Sequence, residues 1–148
     1  MPGSDPDPRP IGLEEFSERL KALCLRSGGT GLPRRRRDRY ILLRSAVQRF
    51  DAAREYSEPE IDASLRDWIA WVGGRLEIDP VALRRYLVDE GFLQRDRRGS
   101  RYRACHAGRG VFSFAAEVDA ADPLAILTEA RQESEARKQQ RIRPRANG

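Results

Sequence analysis

Leu13, Phe16, Leu20, Leu23 and Cys24 fall on one stripe at helical spacing, with Glu14, Glu15, Glu18, Arg19 and Lys21 on the other sides. This pattern predicts an amphipathic helix over about 13–25, stopped by Gly28-Gly29-Thr30-Gly31 acting as a hinge. A second helix is expected from Arg34–Arg37 to about Phe50, carrying Tyr40, Leu43, Val47 and Phe50. A short extended piece, Arg54-Glu55-Tyr56, follows. Ser57 precedes Glu60 by three residues, a capping box that opens a helix bearing Ile61, Leu65, Trp68 and Ile69, and Gly73-Gly74 breaks the chain after it. Asp79-Pro80 pairs an N-cap acid with proline at the first helical position. The helix it starts, about 81–90, buries Leu83 and Leu87 and stops at Gly91. Phe92–Arg95 and Arg101–Arg103 flank a turn containing Gly99, which predicts a β-hairpin.

Helix, short strand, helix, helix and hairpin is the order of a winged helix, although the turn between the last two helices is longer than in a minimal helix-turn-helix. The expected fold class is therefore mainly α with a small β-hairpin, a winged helix-turn-helix core with added N- and C-terminal helices. The proline-rich leader Pro2–Pro10 has nothing to bury and is expected to be disordered. Val111-Phe112-Ser113-Phe114 reads equally as a strand or a loop. Asp122-Pro123 starts a last helix containing Leu124 and Leu127, with a basic, frayed tail from Gln139 onward. The chain divides on this basis into a leader, helix and hinge over 1–31, a winged-helix domain over 32–104 and an extension over 105–148. The ends are too polar, on this pattern, to contribute much core.

Charge sharpens the picture. The 148 residues carry a net charge of +5, and all basic residues except Lys21 and Lys138 are arginine, whose planar fork of donors suits phosphates and carboxylates. Residues 33–49 hold seven arginines against Asp38, and 95–103 hold five against Asp96, whereas 51–67 hold two against six acids. Two cationic elements beside an acidic one point to a polarised molecule with one anion-facing side.

Catalytic chemistry finds little support. Cys24, Cys105 and His106 cannot complete a structural zinc site without further ligands. Cys105 and His106 are neighbours whose side chains are expected to point apart. The acids Glu55, Glu58, Glu60 and Asp62 suit helix capping and solubility, and no glycine-rich phosphate loop with its lysine is present. The expectation is a protein that is not an enzyme and uses no cofactor or metal. No secretory signal and no run of about 18 to 20 apolar residues is found, which predicts a cytoplasmic protein without a membrane partner.

The stretch from Leu32 to Arg103 resembles a bacterial family catalogued as domain of unknown function 2087. The likeness rests on Leu-Pro-Arg-Arg-Arg at 32–36, Tyr-Ser-Glu at 56–58, Leu-Arg-Arg-Tyr-Leu-Val-Asp-Glu-Gly-Phe-Leu at 83–93 and Gly-Ser-Arg-Tyr at 99–102. The family is winged-helix-like and occurs alone or attached to helix-turn-helix regulators, so the resemblance implies a transcriptional setting.

In a winged helix the third helix enters the major groove while the wing holds the flanking backbone. That geometry nominates Arg84 and Arg85 for base edges, since arginine bonds guanine through two donors. Arg95, Arg97, Arg98 and Arg101 would take phosphates or a minor groove, with Arg34, Arg35, Arg36 and Arg37 as a backbone clamp. The plain alternative is that Arg84 or Arg85 pairs with Asp89 or with an acid of the second helix of the domain. The expected partner is double-stranded DNA, bound by a transcriptional regulator. The other reading is a protein-interaction module, with a regulatory protein or a second copy docking on the apolar face of the first or last helix, because Leu13, Phe16 and Leu20 need a surface to cover.

Overall fold

The computed structural model describes residues 9–26, 31–72 and 76–142. The leader over 1–8, the hinge over 28–30, the Gly73-Gly74 break and the tail over 143–148 lie outside the described residues.

The capping signals set the helix boundaries as the sequence predicts. The Ser57 N–H donates to Glu60 Oε1 at 2.8 Å and the Glu60 N–H returns a bond to Ser57 Oγ at 3.3 Å, opening α3, Glu58–Val72. Asp79 accepts from the Val81 N–H at the start of α4, Pro80–Asp89, with Pro80 in its first turn. Gly91 follows at φ +80°, where an added Cβ would also meet Arg109. The hairpin strands are β2, Leu93–Arg95, and β3, Arg101–Ala104; β1, Glu55–Ser57, pairs with the outer side of β3. The sheet is antiparallel in the order β1-β3-β2, with Tyr56 and Arg95 both opposite Tyr102. Alternation along the strands puts Leu93, Tyr102, Ala104 and Tyr56 on the inner face and Gln94, Arg103 and Glu55 on the outer one. This topology is compatible with a winged helix, set in a mainly helical molecule.

The helix before β1, α2 at Arg36–Val47, departs from the single-stripe pattern read from the sequence. Besides Tyr40, Leu43 and Val47 it buries Ile41, Leu42, Arg44, Ser45 and Ala46, so it is the central helix of the fold. Most of its buried polar groups find partners, the Tyr40 hydroxyl being the exception, buried with no hydrogen bond among the described residues. Ser45 Oγ donates to the Leu42 carbonyl and accepts from Trp68 Nε1, and Arg44 bonds Asp119, Gln48 and the His106 carbonyl.

The chain ends contribute far more core than their polarity suggests. Helix α1, Leu13–Lys21, runs into a π-helical turn, Ala22–Arg26, and buries Phe16, Leu20, Leu23 and Cys24. Ile11 bridges Phe114, its N–H donating to the Ser113 carbonyl at 2.8 Å, so the 111–114 stretch is a loop with one strand-like contact. After a 3₁₀ turn over Ala116–Ala120, Asp122 caps α5, Pro123–Ile142, by accepting from the Leu124 and Ala125 N–H groups. Ile11, Phe16, Leu20, Phe112, Val118 and Leu127 all join the core that holds Tyr40, Leu83 and Tyr102. Side chains within 11–24 and 112–127 thus supply walls of the same core as the segment between them. The ends look polar because each buries only a few large side chains on one stripe. Helix α5 also continues past Gln139 to Ile142, in keeping with the helix propensity of Gln, Lys and Arg.

Candidate nucleic-acid interface

Helix α4 sits on α3 through Leu83 and Leu87, which are fully buried. The guanidinium of Arg84 turns the same way. It meets Glu58 Oε1 at 2.8 Å and forms a short hydrogen bond with Asp62. Partial burial works against its charge, but the Asp62 bond and the charges of Asp62 and Glu58 hold its pKa above the ordinary value. Arg84 is thus committed to α3, the second of the two roles the sequence allows it, and it positions α4.

Arg85 is exposed and makes no hydrogen bond or ion pair among the described residues. It lines a recess of about 360 Å³ together with Val81, Arg84, Val88, Asp89, Arg95 and Tyr102. The register explains the meeting: Arg95 lies opposite Tyr102 on the inner sheet face, which turns it toward α4. Arg95 also borders a second hollow of about 190 Å³ with Glu55, Gln94, Asp96, Arg101 and Arg103. One side of the molecule therefore runs from the exposed face of α4 across Arg95 to the wing.

The wing tip is built by its own acid. Asp96 accepts from the Ser100 N–H at 2.9 Å and the Arg101 N–H at 3.3 Å, and Gly99 adopts φ +70°. These bonds, the Ser100 amide first, hold the Asp96 carboxyl below its usual range. Asp96 is spent on the turn, and Arg97 and Arg98 project from it exposed, without partners among the described residues. Arg101 is likewise exposed, on the outer strand face; it makes no side-chain hydrogen bond or ion pair among the described residues, although its charge helps to lower the Glu60 pKa. Arg103, by contrast, bonds Glu55 and the Ala53 carbonyl.

The arginine run before α2 divides. Arg34 and Arg35 are exposed ahead of the helix, while Arg36 bonds Glu90 at 2.9 Å, at the C-terminal end of α4. Arg37 is corrected as a clamp residue. It is 6% exposed and donates through two nitrogens to Glu15 of α1, which leaves it no reach to a phosphate. Beside it the Arg19 guanidinium grips Asp38 with bonds of 3.0 and 2.9 Å. Glu15 and Arg19, expected to face solvent, instead stitch α1 to α2. A run of four arginines at a helix start cannot point one way, since successive residues turn by about 100°.

Sequence reasoning passed over two features of α4. Val81 and Tyr86 are exposed large apolar side chains, at 49% and 46%. Both fall off the Leu83/Leu87 stripe, which is the pattern that places them outside. Elsewhere, His106 Nε2 contacts the Phe50 carbonyl at 2.9 Å while Cys105 Sγ turns to the Gly108 carbonyl, so the adjacent pair diverges. Burial pushes the Cys24 thiol up to about 12. Among the described residues no group of three or more His, Cys, Asp or Glu is placed to hold a metal, and no helix is long and apolar enough to cross a membrane.

The profile of a family described as an uncharacterized protein conserved in bacteria (DUF2087) matches residues 30–104. No curated protein and no solved structure matches the chain.

Proposed function

We propose that this chain, which belongs to the bacterial family DUF2087, is a cytoplasmic DNA-binding regulator that inserts α4 into a major groove and lays its wing on the adjoining backbone. It acts on this reading as a stoichiometric binder with no catalysis and no cofactor. The observation that supports the proposal is that Arg85 and Arg95 line one recess while Arg97 and Arg98 stand exposed at the tip of the same hairpin, none of them with a hydrogen bond or ion pair among the described residues. Guanidinium groups left unpaired on a winged helix, where helix and wing meet DNA, fit a polyanion. Arg34 and Arg35 stand exposed just ahead of Arg36, which bonds Glu90 at the C-terminal end of α4. Arg84 contributes indirectly, by fixing the angle at which α4 is offered.

The protein-interaction reading, which placed a partner on the first or the last helix, draws less support from α1. The apolar face of α1 that called for a partner is covered within the chain, Phe16 and Leu20 by the common core and Phe16 edge-on to Phe114 at 6.5 Å.

Titration with mixed genomic duplex fragments at two salt concentrations tests the proposal. Engagement of about six phosphates should lower affinity roughly a thousandfold between 50 and 200 mM salt. Arg97→Glu with Arg98→Glu should abolish binding while leaving the circular dichroism spectrum unchanged. Absence of binding at both salt concentrations would refute it.

A further inference from the structure

Helix α4 presents more than cations. With Leu83 and Leu87 buried and Arg84 turned to α3, a rotation of about 100° per residue leaves Val81, Arg85 and Asp89 in one outward row, a turn apart. Tyr86 stands on the flank away from the wing. Val81 is half-exposed in the first turn. Asp89 is exposed and has no hydrogen bond or ion pair among the described residues, although Arg85 lies one turn before it. Both Val81 and Asp89 line the same recess as Arg85 and Arg95. A carboxylate left unpaired on the DNA-facing side repels the phosphates of every sequence alike, and only a base that donates to it offsets that cost.

From this row we infer that Val81, Arg85 and Asp89 read base edges and that Asp89 sets the specificity of the protein. This rests on the DNA-binding reading above. Val81 packs its methyl groups against a thymine methyl, Arg85 donates to O6 and N7 of guanine, and Asp89 accepts from the N4 amino group of cytosine. The row spans about 12 Å, at about 1.5 Å per residue, which corresponds to about three to four base steps of about 3.4 Å. Asp89 thereby weakens binding to unrelated duplex and restores it where cytosine stands in register.

Selection from a pool of randomised duplexes tests the inference, using the full chain and its Val81→Ala, Arg85→Ala and Asp89→Ala variants, all on exposed positions. The wild type should enrich thymine, guanine and cytosine within one short segment. Each variant should flatten one position by on the order of tenfold and leave the others intact. Asp89→Ala should also bind unrelated duplex several-fold more tightly. If Asp89→Ala tightens binding to all duplexes and keeps every base preference, Asp89 is only a repelling charge and the inference falls while DNA binding stands. If the wild type retains no duplex at all, both readings fall together.

Discussion

Single residues in this protein act through where their charge is parked. Arg44 is 2% exposed, yet its guanidinium reaches Asp119, Gln48 and the His106 carbonyl and lies 4.8 Å from the Phe114 ring centre. It ties the central helix to the segment after the wing. Arg44→Met keeps the bulk and removes the bonds; because Asp119 is mostly exposed and can hydrate, the loss should be about 2–3 kcal/mol and not the larger cost of a stranded buried charge. Urea unfolding of both proteins measures it. Glu60 and Asp96 work by a different route. The Ser57 amide first, then the Ser57 hydroxyl and the Arg54 charge, lower the Glu60 pKa, as the Ser100 amide lowers that of Asp96. The unfolded chain binds these protons more readily, so their stabilisation is complete above the ordinary carboxylate range, at about pH 4. It is lost as pH falls through the lower folded-state values. Acid titration followed by NMR should show wing amides shifting below that range, and Asp96→Asn should remove the transition at Ser100 and Arg101.

Elements are joined in two ways, only one of which the sequence displays. Local joints were legible: the Ser57/Glu60 box, the Asp79-Pro80 start and the Gly91 stop are defined by residues within a few positions of each other, and each stands where its pattern put it. The hairpin and the winged-helix order followed from them. Distant joints were not, since a charged side chain carries no mark of a partner 22 residues away in the case of Arg37 and Glu15, or 75 in that of Arg44 and Asp119. The arginine run therefore read as one clamp, whereas it serves three purposes. The α1–α2 seam offers a quantitative check. Arg37 and Asp38 are its buried members, and Glu15 and Arg19 its outer ones. A double-mutant cycle of Glu15→Ala and Arg37→Ala should return a coupling of about 1–2 kcal/mol, with Arg37→Ala the costlier single change. Additive effects would show that the two side chains merely lie close.

At the scale of the whole molecule, the family match and the folding unit differ in extent. The match covers residues 30–104, but Tyr40 packs against both Phe92 within that span and Phe112 beyond it, with ring centres 5.0 and 5.2 Å apart. A 30–104 fragment would expose the faces that Ile11, Phe16, Leu20, Val118 and Leu127 cover. It should lose the cooperative thermal transition of the full chain and bind a hydrophobic dye, and a sharp transition in that fragment would show that the terminal segments are dispensable. The cationic side was only half legible for the same reason: charge counts located its elements, but which arginines stay unpaired depends on the acids that folding brings to them.

One consequence of the strand order reaches beyond the sheet. Because β3 is laddered on both edges, to β1 and to β2, the base of the hairpin has no independent hinge, and bending is confined to the Asp96–Ser100 loop. A load applied at Arg97 or Arg98, as by a duplex on the proposed function, would thus be delivered through β3 to β1 and on to the capped start of α3, whose acids hold Arg84. The loop and the tilt of α4 are in this way mechanically geared to one another.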